Sequence, residues 1–308
     1  MRISAIDIGT NTILMLTADV GPEGSVSVVR DEHAIARLGQ GVDKSHRLSS
    51  EGIERTLAVL RSYRSIANDV RSEHIVACGT SAIRDAIDRQ EFLDTVKNQI
   101  DVDVEVLDGD TEALLTYRGA VSELAALDSA QSFGVIDIGG GSTELISGVG
   151  TTARVHVSLD IGSVRLTERY FRSDPPTSGE IESAASEIER QLQEFHQEIP
   201  QMLIGVAGTA TTLAALDLQL NSYDGKKVGG YFLSQRRVHA LFEELSRKSI
   251  VQLRHISQIH PQRADIIVAG TLILQTVLDR FQVGGMTVSD RGLRYGLLLR
   301  AAERFRAG

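Results

Sequence analysis

The chain repeats a short pattern at a separation of one domain length. Residues 5 to 12 read Ala-Ile-Asp-Ile-Gly-Thr-Asn-Thr, and residues 135 to 143 read Val-Ile-Asp-Ile-Gly-Gly-Gly-Ser-Thr. Each copy is an apolar strand that carries an Asp and runs into a Gly turn with small hydroxyl or amide residues. A second apolar strand follows each time, Ile13 to Leu16 in one copy and Leu145-Ile146 in the other. Asp7 and Asp137 are 130 residues apart. That spacing points to a duplicated domain, not a short-period solenoid.

The segments after each hairpin extend the correspondence. In the first half the apolar spacing predicts a third strand near 25–30, a helix over 50–70, a strand at 74–78, a helix from Asp88, a strand at 102–107 and a helix over 111–127. Asp88 with Glu91, and Thr177 with Glu180, have capping-box spacing. In the second half strands are predicted at 133–138, 143–149, 153–158, 202–207 and 285–289. Helices are predicted at 163–172, 178–198, 209–217, 235–247, 262–281 and 291–306. The fold class is therefore α/β, with two duplicated domains built on mixed five-stranded sheets. The boundary is expected near residue 124, giving domains 1–124 and 125–308, with a C-terminal helix about 296–308 packing back on the first.

Composition closes off several classes. The net charge is −9, unsuited to broad nucleic-acid binding, although 27 of the 32 basic residues are Arg. Cys78 is the only cysteine, so an internal disulfide or a cysteine-based zinc site is excluded. Asp7 interrupts any signal-peptide core, and no apolar run is long enough to span a bilayer. The expectation is a cytoplasmic protein with no membrane and no nucleic-acid partner.

The two Gly turns suggest phosphate. In Gly139-Gly140-Gly141-Ser142, consecutive backbone N–H groups unshielded by side chains can form an anion nest, and Ser142 and Thr143 add hydroxyls. Asp137, at the strand end before it, stands where Mg2+ would be held. The alternative is a tight hairpin whose Asp caps its own turn. One such turn in each half points to a nucleotide or polyphosphate site in a cleft between the domains. No dinucleotide fingerprint and no P-loop is present. Asp108, Asp110 and Glu112 hint at a calcium loop, but its sixth and twelfth positions hold Ala113 and Gly119. No His pair has zinc-ligand spacing, and Ser142 lacks a nucleophile-elbow context.

At these residues the chain resembles the exopolyphosphatase/guanosine pentaphosphate phosphatase family of the actin, sugar kinase and Hsp70 superfamily, whose domains are ribonuclease H-like. The match runs through Ala5 to Asn11, Gly79 to Arg84, Asp108 to Ala113 with Tyr117 to Gly119, Val135 to Glu144, and Val206 to Thr212, and more weakly through Ser289 to Arg294. The resemblance implies that Glu112 is the general base that activates water. It implies a metal side of Asp7, Asp137 and Glu144, with Mg2+ or Mn2+ as the ion. It places Arg84, Asn11, Gly139, Gly140, Gly141 and Ser142 along the phosphates. Gly208 and Thr209 match the superfamily's adenosine-contacting loop. Asp88 replaces the family's usual Asn, and Thr111 an acidic residue found in many members.

The implied activity is exopolyphosphatase, with pppGpp 5'-phosphohydrolase as the near alternative. A small-molecule kinase and a non-catalytic sensor of (p)ppGpp or polyphosphate are more distant. Longer members continue into further helical domains that help enclose the polymer. The resemblance also implies a homodimer.

Overall fold

The computed structural model describes residues 1–122, 129–221 and 224–307. The boundary expected near residue 124 and the last part of the 111–127 helix fall among residues 123–128, outside the described residues. By its own contacts the chain divides into two units, Met1–Gly119 with Leu293–Gly308, and Ala120–Gly292.

In the first unit, β1 (Arg2–Ile8), β2 (Thr12–Val20) and β3 (Val26–Ile35) form an antiparallel meander, and β4 (His74–Gly79) and β5 (Val104–Val106) add on the other side of β1. The order is β3-β2-β1-β4-β5, with β4 parallel to β1 and β5 parallel to β4. Strand β1 is apolar on both faces because both faces are covered. Ile6 and Ile8 join Leu57, Leu60, Tyr63, Phe92 and Val96 in one core. Ile3 and Ala5 join Leu16, Leu115, Leu297 and Leu298 in another. The second core is closed by the helix Leu293–Ala307, which packs on β1 and β2. A Cβ at Gly296 would lie 1.9 Å from the Leu115 carbonyl oxygen, so only glycine allows that crossing. Ion pairs of Arg300 with Glu105 and of Arg118 with Glu303 hold the same helix.

The second unit repeats the plan. Strands β6 (Ser132–Ile138), β7 (Thr143–Val149) and β8 (Thr152–Leu159) form the meander, and β9 (Leu203–Val206) pairs parallel with β6. Strands β10 (Phe232–Ser234) and β11 (Gly285–Val288) complete a sheet of order β10-β11-β9-β6-β7-β8. Without β10 the order is that of the first sheet. This sheet therefore has six strands where five were expected. Three residues are too few to display a period-two pattern, and Phe232–Ser234 is a strand because Leu233 pairs antiparallel with Met286.

Two local expectations differ from the structure. Thr177 and Glu180 form their capping box, but Asp88 caps nothing with its side chain. Its Oδ1 instead accepts the Leu48 N–H at 3.2 Å, a partner 40 residues away. The helix expected over 178–198 ends at Leu192, and the one expected over 262–281 opens with a short 3-10 turn, Pro261–Arg263, before Ile267–Arg280.

Candidate functional site

The two Gly turns share one construction. Gly9 N–H donates to the Thr12 carbonyl at 3.0 Å, and Gly139 N–H to the Ser142 carbonyl at 3.0 Å. A Cβ would stand 2.9 Å from that oxygen at Gly9 and 3.0 Å at Gly139, so each hairpin needs its first glycine. In both units, the segment after the third strand then takes up the turn's carbonyls. In the first unit, Thr10 C=O accepts Gly39 N–H at 2.8 Å, and Asn11 C=O accepts the N–H groups of Ala36 and Arg37 at 3.2 and 3.0 Å.

In the second unit, Gly139 C=O accepts Ser163 N–H at 2.9 Å, and Gly140 C=O accepts Val164 and Arg165 N–H at 2.9 and 3.1 Å. Gly141 C=O accepts Arg165 Nε–H at 2.7 Å. The first donors of the helix Ser163–Tyr170 are thus spent on the loop. Gly162 permits the approach: a Cβ there would lie 2.4 Å from Gly140 oxygen.

In a trans-planar peptide the N–H points opposite to the C=O. Pinning three successive carbonyls therefore aims the N–H groups of Gly140, Gly141 and Ser142 the other way. Among the described residues no acceptor takes these three donors. Gly141 and Ser142 are buried, so an anion that accepts from them relieves a real cost.

The carboxylates differ between the two hairpins. Asp7 and Asp137 hold matching places on β1 and β6, but Asp7 faces Leu14 across the ladder whereas Asp137 faces Glu144. Glu144 is buried and accepts the Ser158 hydroxyl at 2.7 Å. Asp7 Oδ1 is buried with no hydrogen-bond partner. Burial pushes the Asp7 carboxyl up to about 7, the Glu112 charge adds to the rise, and the Arg294 charge opposes it. An orphaned carboxylate oxygen of this kind fits a cation ligand. Among the described residues no group of three or more His, Cys, Asp or Glu is gathered to hold an ion.

Glu112 sits in the first turn of the helix Gly109–Val121, where the helix dipole favours its anion. The turn is set by Asp108, whose Oδ1 accepts Thr111 N–H at 2.7 Å; this bond holds the Asp108 carboxyl below its usual range. Glu112 is 7% exposed, and Arg84 Nη1 donates to its Oε2 at 2.8 Å and to Leu107 C=O at 3.1 Å. The first unit thus brings Asp7, Glu112 and Arg84 together.

The second unit places Gly208 at the same end of its sheet as Asp137, because Val206 pairs with Asp137 and the helix Ala207–Asp217 starts immediately after. Ala207 takes φ 64° to make that turn. Thr209 is buried against Gly270.

Three arginines escaped the sequence reading as site residues. A Cβ on Gly208 would lie 2.3 Å from Arg263 Nη1, so that guanidinium covers the loop. Arg294, 4% exposed, pairs with Asp31, and its Nη1 lies 3.3 Å from His33 Nε2. Arg294 lies in the weakest of the quoted motifs, whereas Arg165 and Arg263 carry no local signal at all.

Two sheets that share a five-strand order, each opened by an Asp-bearing phosphate-type hairpin, define a duplicated ribonuclease H-like protein of the actin class. The chain belongs to the Ppx/GppA phosphatase family, whose model matches residues 18–305. It is 34% identical to Exopolyphosphatase 2 of Mycobacterium tuberculosis, over 98% of both chains. The crystal structure of the Aquifex aeolicus Ppx/GppA family member superposes with a TM-score of 0.83 at 32% identity, over 99% of this chain and 98% of that one. Guanosine-5'-triphosphate,3'-diphosphate pyrophosphatase of Vibrio atlanticus is 27% identical over 98% of this chain and 60% of its own length.

Proposed function

We propose that the chain is an exopolyphosphatase that hydrolyses the terminal phosphoanhydride of inorganic polyphosphate and releases orthophosphate. The observation that carries this reading is Glu112, a buried first-turn carboxylate held at 2.8 Å by Arg84. A base must be ionised and fixed to take a proton from water, and the helix dipole and the guanidinium both favour that state. Glu112 accepts the proton as the water oxygen bonds to the terminal phosphorus. The anhydride P–O bond breaks, and the shortened polymer leaves with the electron pair.

The N–H groups of Gly140, Gly141 and Ser142 bind phosphate oxygens in the second unit, and Asn11 does so in the first. Arg84 orients Glu112 and adds positive charge beside the phosphates. Gly208 and Thr209 line the polymer or nucleoside end. A divalent cation, Mg2+ or Mn2+, supplies positive charge to the phosphoryl oxygens when bound. Asp7 in the first unit, and Asp137 and Glu144 in the second, are the carboxylates that would serve as cation ligands.

The second reading is pppGpp 5'-phosphohydrolase, favoured by the likeness to the Vibrio protein. Orthophosphate release from long-chain polyphosphate and from pppGpp, assayed in parallel with Mg2+ and with chelator, tests both. Release from polyphosphate at the higher kcat/KM supports the first reading, and the reverse supports the second. No release from either sinks the hydrolase. A homodimer and a cytoplasmic location belong to the same proposal. Light scattering at working concentration checks the first, and fractionation of the source cell checks the second. No helix among the described residues is long and apolar enough to cross a membrane.

A further inference from the structure

We propose that Arg165 is a positioning residue that sets the third donor of the phosphate-binding turn. The inference rests on the hydrolase reading for its kinetic consequence and on geometry alone for its structural one. Three carbonyls of the turn are pinned, and they are pinned differently. Those of Gly139 and Gly140 are held by the backbone N–H groups of residues 163–165, with the Ser163 hydroxyl adding a second bond to Gly139 at 3.2 Å; the backbone donors remain whatever side chains stand there, proline excepted. The carbonyl of Gly141 is held by a side chain, the Arg165 Nε–H at 2.7 Å.

The Gly141–Ser142 peptide is planar, so this one bond decides where the Ser142 N–H points. With Gly140 and Gly141 directly before Ser142, the peptide has little steric restraint of its own and would rotate readily. The guanidinium is well placed for the task. Its side chain is 11% exposed, its Nη2 stands 3.8 Å from Asp160 Oδ1, and its backbone N–H is bound to Gly140. Both ends of the residue are therefore fixed relative to the loop, and the planar fork loses little freedom on making the bond. Arg165 lies behind the turn and acts on substrate through Ser142 N–H.

The test compares Arg165→Met, which keeps the stem and removes the donor, with Arg165→Lys, which keeps a charge and one donor. In the Met variant KM for polyphosphate should rise about tenfold, the worth of one hydrogen bond to a charged group. Its kcat should fall far less. The Kd of imidodiphosphate, a non-hydrolysed probe measured by calorimetry, should rise by the same factor. The Lys variant should recover part of both. If the Met variant fails to fold, the Lys variant carries the test, with an intermediate rise in both constants. Unchanged KM and Kd beside a lowered melting temperature would overturn the proposal and leave Arg165 a packing residue. If the wild type releases no phosphate, the hydrolase reading fails, and the imidodiphosphate Kd alone judges Arg165. If the wild type does not bind that probe either, the proposal is overturned too.

Discussion

Arg84 and Glu112 are joined by a 2.8 Å ion pair, and the same Arg84 nitrogen holds the Leu107 carbonyl, so the guanidinium ties the end of β5 to the helix that carries the carboxylate. Neither partner is exposed; their side chains retain 22% and 10% of their surface. Removing one partner takes from the other a counter-charge that stands 2.8 Å away.

The pair makes a two-part prediction. Glu112→Gln keeps the shape but loses both the base and the counter-charge of Arg84, so kcat should fall by about 10²–10⁴ and the fold should lose about 1–3 kcal/mol. Arg84→Met should destabilise the fold by about 1–3 kcal/mol, and adding Glu112→Gln to it should return part of that loss. Urea unfolding of the two single variants and the double variant reads the coupling. Strict additivity would contradict an energetic link between them.

Asp7 predicts a falling stability curve. Its folded-state value is about 7 against an ordinary 3.8, so between those values the native state binds more protons than the unfolded chain. Its contribution is fully present below about pH 4 and is lost as the pH rises through 7, at no more than about 1.4 kcal/mol per pH unit. Asp7→Asn should flatten the metal-free stability profile over that window. A divalent cation competes with the proton, so added Mg2+ should raise the wild-type melting temperature more at pH 8 than at pH 6. Scanning calorimetry at both values measures it.

Gly162 and Gly179 make a matched pair of substitutions. A Cβ on Gly162 would meet Gly140 backbone atoms at 2.4 Å, whereas one on Gly179 meets nothing within 4 Å. Gly162→Ala should cost about 1–3 kcal/mol and raise KM for polyphosphate, because the turn must move. Gly179→Ala, inside the helix Ser178–Leu192, should be neutral or stabilising by about 0.5–1 kcal/mol. Equal effects from both would argue against the close contact.

Glu180 should titrate abnormally low. Its carboxylate accepts the N–H groups of Thr177 and Arg172 and the hydroxyls of Thr177 and Ser173, which hold it at about 2 against an ordinary 4.5. The stabilisation is present above about pH 4.5 and is lost as the pH falls through 2. Carbon-detected NMR of the side-chain carboxyl should give that midpoint, and Thr177→Ala should move it upward.

Much of the fold was legible because its signals are local. The Asp-Ile-Gly repeats announced both hairpins, since each needs only an apolar strand, a glycine that admits the Thr12 or Ser142 carbonyl, and a returning strand. The Thr177–Glu180 box is closed within three residues. Glu112 was readable as a first-turn carboxylate. Arg84 was readable by resemblance as a phosphate-side residue but not as the partner of Glu112, because a separation of 28 positions obeys no helical or strand period.

The sequence by itself determined the duplication, the strand-turn-strand units, the family and the donors available to the site. The tertiary structure decided which carbonyl each donor meets. Arg165 reaches Gly141 across 24 residues, Asp88 leaves its own helix for Leu48, and β10 exists only beside β11. The physical reason is range. A cap or a turn is selected by backbone geometry within a few residues. A bond between distant segments forms only after packing has paid the entropy of bringing them together, and that outcome belongs to the whole fold.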